Sequence, residues 1–122
     1  MKNALNWFEI PTTNIDRAAK FYEAVLGASL HREVIAGIPN AILPYSGGED
    51  GAVGGALVQN PQLPPGAAGG LPYLNCIGFL DEALARVGAA GGAIVMPKTD
   101  IGFGHIALIV DTEGNRIGLH SV

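Results

Sequence analysis

One cysteine, seven lysines and arginines, and a charged fraction of only 15% are the scarcities of this 122-residue chain. Each closes off a class of protein. Cys76 has no partner for an intrachain disulfide, so the chain is no disulfide-stapled scaffold. Its setting in Tyr73-Leu74-Asn75-Cys76-Ile77 suits a thiol packed as a small hydrophobe. The few basic residues form no cluster and the net charge is -4, so nothing attracts phosphates, and nucleic acid is not an expected partner. No apolar run is long enough to cross a bilayer, and the first residues lack the basic and apolar stretches of a signal peptide. A cytoplasmic protein without membrane contact is expected.

Apolar residues, at 48%, suffice for a core, and the length suits a single domain over 1–122. Asn6 to Ile10 reads as a strand ended by Pro11, and Thr12-Thr13-Asn14 then offers capping side chains. Ile15, Ala18, Ala19, Tyr22, Val25 and Leu26 recur at helical spacing, and Gly27 stops the pattern. Residues 29–35, 40–45 and 52–58 read as strands, separated by Gly37-Ile38-Pro39 and by Ser46-Gly47-Gly48-Glu49-Asp50. Residues 60–70 are a Pro- and Gly-rich linker.

The order then restarts. Tyr73-Leu74-Asn75-Cys76 stands where Trp7-Phe8-Glu9-Ile10 stood, a helix is expected over 80–90, and Gly92-Ala93 repeats Gly27-Ala28. Strands follow at 93–96, 105–110 and 116–121, the last two joined by Asp111-Thr112-Glu113-Gly114-Asn115. This is an internal duplication of a βαβββ unit, modules 1–59 and 71–122, hence an α+β fold. One helix covers only one face of each sheet, so the helices are expected outside, with the open faces closing on each other as a cupped sheet around a pocket.

Trp7-Phe8-Glu9-Ile10-Pro11, Ile15-Asp16-Arg17-Ala18-Ala19-Lys20-Phe21-Tyr22 and Leu26-Gly27 resemble the opening signature of the vicinal oxygen chelate superfamily. Asp81 to Arg86, Ala89-Ala90-Gly91-Gly92 and Asp111-Thr112-Glu113-Gly114-Asn115-Arg116-Ile117 are similar to its closing one. The resemblance covers nearly the whole chain and implies the fold of glyoxalase I, the bleomycin resistance proteins and the extradiol dioxygenases. It also implies a divalent metal held by His, Gln or Glu on the first and last strands of each module. The position of the usual closing Glu is Gly118, and Val53-Gly54-Gly55-Ala56-Leu57-Val58 has no carboxylate or imidazole. Of the opening-strand residues Trp7, Glu9, Tyr73 and Asn75, only Glu9 suits a metal. No metal ligand set and no cofactor are therefore expected, and no catalytic residue is assigned.

The candidate ligand-binding residues are Glu9, Asn75 and His120, with Trp7, Tyr73, Met96 and Phe103 as apolar lining. Strand alternation places Gly118 and His120 on one face, and Glu9 and Asn75 are equivalent between modules. Lys98, in the 96–100 segment, is placed in a loop able to cover the pocket mouth and is itself read as solvated; His31 and His105 are read as surface residues. The expected function is small-molecule binding without the metal centre. The alternative is a divalent-metal-dependent lyase, isomerase or dioxygenase of glyoxalase type. The family's small members imply a homodimer.

Overall fold

The first helix forms where its spacing and caps put it. In the computed structural model, which describes residues 3–46 and 51–122, α1 spans Ile15–Leu26. Asn14 is extended and its side chain accepts from the Arg17 N–H, while Gly27 closes the helix in the left-handed region at φ 66° and donates to the Glu23 carbonyl. Ile15, Ala18, Ala19, Phe21, Tyr22 and Val25 are its buried face. Each large apolar side chain buried there contributes about 2 kcal/mol.

The strands are β1 (Trp7–Pro11), β2 (His31–Ile35), β3 (Ile38–Ile42) and β4 (Gly54–Val58), then β5 (Tyr73–Asn75), β6 (Ala93–Asp100), β7 (His105–Val110) and β8 (Arg116–Ser121). Helix α2 (Leu80–Val87) lies between β5 and β6. The first sheet runs β1-β4-β3-β2 and the second β5-β8-β7-β6. Within each, the opening strand is parallel to the closing one and the other pairs are antiparallel. Trp7 stands opposite Gly54 and Glu9 opposite Ala56; Tyr73 stands opposite Gly118 and Asn75 opposite His120. The duplication read from the sequence thus holds down to the register.

Both helices sit on one side. They pack on each other and on Ile10, Ala41 and Leu57 of the first sheet and Leu74, Ile109, Ile117 and Leu119 of the second, in a single core. Helix α1 reaches across because Phe21 and Tyr22 both face inward, their rings edge-on at 5.0 Å. Phe21 fills the space left by Gly92, and the Tyr22 hydroxyl donates to Asp111 Oδ2 at 2.6 Å. The opposite sheet faces were expected to close on each other; within one chain they stay open, with Trp7 36% and Tyr73 46% exposed.

The β7–β8 turn clamps the second module to the first. Glu113, its side chain fully buried, accepts from Thr12 Oγ1 at 2.6 Å, from Thr112 Oγ1 at 2.8 Å, and from Arg17 Nε and Nη2 at 2.7 and 2.6 Å. Asn115 Nδ2 donates to the Pro11 carbonyl at 2.7 Å.

Two strand readings need correction. The first hairpin turns at Ala36 and Gly37, both at positive φ, so β3 begins at Ile38 and ends at Ile42 rather than spanning 40–45. The 96–100 segment is not a loop: β6 continues to Asp100 through two register breaks around Met96, which accommodate Pro97. Lys98 therefore points to the helix side, 3.1 Å from Asp81 of α2. Smaller shifts start β2 at His31 and β4 at Gly54, and end α2 at Val87. Of the 46–51 loop, residues 47–50 lie outside the described residues.

Candidate functional site

Glycine opposite an aromatic residue is the repeated feature of the open faces. A Cβ built on Gly118 would overlap the Tyr73 ring. One built on Gly54 would lie 2.7 Å from the Tyr45 ring. Only a residue without a side chain lets these rings lie directly on the backbone of β8 and β4. Tyr45 in turn meets Trp7 edge-on, with centroids 5.9 Å apart.

Around these rings lie two adjoining hollows. A cavity of about 760 Å³ opens between the modules and is lined by Leu5, Phe8, Leu43, Tyr73, Asn75 and Phe79, among others. A smaller one of about 300 Å³ shares Asn3, Val53 and Gly54 with it and adds Trp7 and Tyr45. A third, of about 440 Å³, lies between β1, the linker and the start of β8, and contains Glu9 and Arg116.

The candidate residues divide among these places. Tyr73 and Asn75 line the largest cavity and Trp7 the smallest, while Glu9 lines the third. Asn75 Oδ1 accepts from the Ile77 N–H at 3.0 Å. His120 is half-buried in register with Asn75, with its Nε2 close to Gly104, and lines none of the three. Met96 is half-buried opposite Leu108, and Phe103, 80% exposed, sits in the β6–β7 connection. His31 is exposed and 3.8 Å from Glu33; His105 is half-buried and 3.9 Å from Asp100. Phe8, Phe79 and Tyr45 line the cavities without having been singled out. The signal for Tyr45 is Gly54, which a register with Trp7 makes the twin of Gly118.

The metal centre implied by the fold family does not fit these residues. Among the described residues no group of three or more His, Cys, Asp or Glu is placed to hold a metal ion. At Gly118, where a ligand carboxylate would begin, the Tyr73 ring occupies the space, and Tyr45 does the same at Gly54. Glu9 and His120, the pair on which a replacement site would rest, share no cavity. Cys76 offers no nucleophile either: burial pushes its thiol up to about 11, against the opposing pull of the Arg86 charge.

Residues 4–119 match the model of the Glyoxalase/Bleomycin resistance protein/Dioxygenase superfamily. The chain is 30% identical over 93% of its length to "Putative glyoxylase CFP32" of Mycobacterium bovis and of Mycobacterium tuberculosis, and spans only 44% of those proteins. Its fold is similar to that of a glyoxalase/bleomycin resistance protein from Albidiferax ferrireducens T118 (TM-score 0.70, 16% identity, 98% of this chain and 99% of that one). A glyoxalase/bleomycin resistance protein from Streptomyces sp. CB03234 gives a TM-score of 0.66 at 24% identity, over 96% and 99% of the two chains. A glyoxalase I variant from Zea mays gives 0.69 at 22% identity, over 95% of this chain and 46% of that one.

Proposed function

Because the chain belongs to the Glyoxalase/Bleomycin resistance protein/Dioxygenase superfamily, we propose that it binds a small organic molecule in the cavity between its modules, without the family's metal centre. The observation that carries this reading is the pair of glycines under aromatic rings: the positions that would start a metal ligand instead build an apolar wall. The cavity's size and lining suit a compact ligand rather than a macromolecule. The sheet faces left open in one chain, with Trp7 and Tyr73 exposed, support a homodimer. Cytoplasmic residence accords with an unpaired Cys76. No helix among the described residues is long and apolar enough to cross a membrane.

Thermal denaturation against a diverse small-molecule library tests the reading. A ligand present at a hundredfold excess over its Kd stabilises by about 2.7 kcal/mol, a shift of several degrees in Tm. A library that moves Tm nowhere, with no heat in calorimetry, rejects it. Elemental analysis of the purified protein is expected to find metal far below one per chain. Stoichiometric Zn, Ni, Mn or Fe, lost on Glu9→Ala or His120→Ala, would instead establish the metal-dependent alternative.

A further inference from the structure

The described residues that line the two adjoining hollows carry no charge. Among them there is no Asp, Glu, Lys, Arg or His, while Trp7, Tyr45 and Tyr73 present rings and Phe8 and Phe79 line the inner wall. Resting on the small-molecule reading, we propose that the ligand is an uncharged, flat aromatic molecule bearing an amide or phenol group, held against Tyr73, with the Trp7–Tyr45 pair in the adjoining hollow.

Three observations lead there. Tyr73 and Tyr45 each lie on a glycine backbone, so one side of the ring is braced while the residues remain 46% and 44% exposed. Trp7 holds Tyr45 from its edge. Rings fixed in this way lose little freedom when a second π-face settles on them, and offset stacking adds to the area buried. A charged ligand would leave water for a wall whose described residues offer no counter-charge, which is costly. The polar groups at the rim are amides. Asn75 Oδ1 is engaged by Ile77, so its Nδ2 is the group turned to donate. Asn3 Nδ2 donates to the Gly51 carbonyl at 2.9 Å, leaving its Oδ1 as an acceptor. One donor and one acceptor match an amide or a phenolic hydroxyl.

Calorimetry with three probes of nearly one shape tests the class: naphthamide, naphthoate, and the saturated decalin carboxamide. Trp7 is the sole tryptophan, so its emission reports binding at the site directly. Naphthamide is expected to bind about tenfold or more tightly than either other probe and to change Trp7 emission. Tyr73→Ala is expected to weaken it about tenfold, and Tyr73→Leu, which keeps bulk without a π-face, to weaken it comparably. Naphthoate binding as tightly overturns the exclusion of charge; the decalin amide binding as tightly, or Tyr73→Leu binding undiminished, overturns stacking. If none of the three binds while the library yields another ligand, the aromatic class is wrong and the small-molecule reading stands. If the library fails too, both fall.

Discussion

Asp111 is buried and accepts four hydrogen bonds: from Tyr22 Oη at 2.6 Å, Glu113 N at 2.8 Å, Asn115 N at 2.9 Å and Asn115 Nδ2 at 3.1 Å. An amide cannot accept from all of these, because one of its two atoms is a donor. Asp111→Asn is therefore expected to cost about 2–4 kcal/mol in urea denaturation, more than Tyr22→Phe, which removes one bond. Burial also pushes the Tyr22 phenol well up, with the Asp111 charge adding to it. Glu113 is the second buried acceptor. Burial would raise its carboxyl, but the bonds from Arg17, Thr12 and Thr112 and the Arg17 charge outweigh that and hold it at about 2, below its ordinary 4.5. A depressed acid stabilises the fold above its ordinary value, and that contribution is lost as pH falls from about 4.5 through about 2. Glu113→Gln is expected to lose about 1–2 kcal/mol at neutral pH and to flatten the acid limb of stability against pH. The Asp-Thr-Glu-Gly-Asn turn was legible in the sequence. Its role as a clamp was not, because Arg17 and Thr12 lie 96 and 101 residues away.

Elements were legible where a cap or a stop accompanied the pattern. Helix α1 has Asn14 and Gly27 at its ends and was placed to the residue, whereas α2, with no side-chain cap, ends three residues before the expected 90. The length of β6 was hidden by Pro97, since a register break that tolerates proline in an edge strand leaves no simple alternation to read. Two of the four edge strands carry marks that discourage pairing with other chains: His31, Arg32 and Glu33 in β2, and Pro97 and Lys98 in β6. Two glycines four residues apart, Gly88 and Gly92, should respond with opposite signs. A Cβ on Gly92 would lie 2.6 Å from the Val110 carbonyl and 2.7 Å from Phe21, so Gly92→Ala is expected to destabilise by about 1–3 kcal/mol. Gly88 caps α2 with helical angles and open space around its Cα, so Gly88→Ala is expected to stabilise by about 0.5–1 kcal/mol. Thermal melts of the two variants check both.

For the molecule as a whole, the duplication was legible because Trp7-Phe8-Glu9-Ile10 and Tyr73-Leu74-Asn75-Cys76, or Gly27-Ala28 and Gly92-Ala93, keep the same place in both modules. How the modules sit was not, since nothing local to Phe21 and Tyr22 says that they bury against Gly92 and Asp111 of the other half. The cavity lies between modules for the same reason, beyond any single motif. Light scattering is expected to give about 25 kDa, twice the 12.5 kDa of one chain, at micromolar concentration; a monomer mass throughout would reject the homodimer. The clamp at Glu113 has a consequence for synthesis on the ribosome. The first βαβββ unit leaves the exit tunnel with α1 already capped by Asn14, yet with Phe21, Tyr22 and Arg17 still without the partners that secure them. The partners of Tyr22 and Arg17 belong to the last turn to be made, and that of Phe21 to the second module. The nascent chain thus holds its first half in a provisional state until residues 111–115 emerge, and a stop codon shortly before them would leave neither half with a finished core.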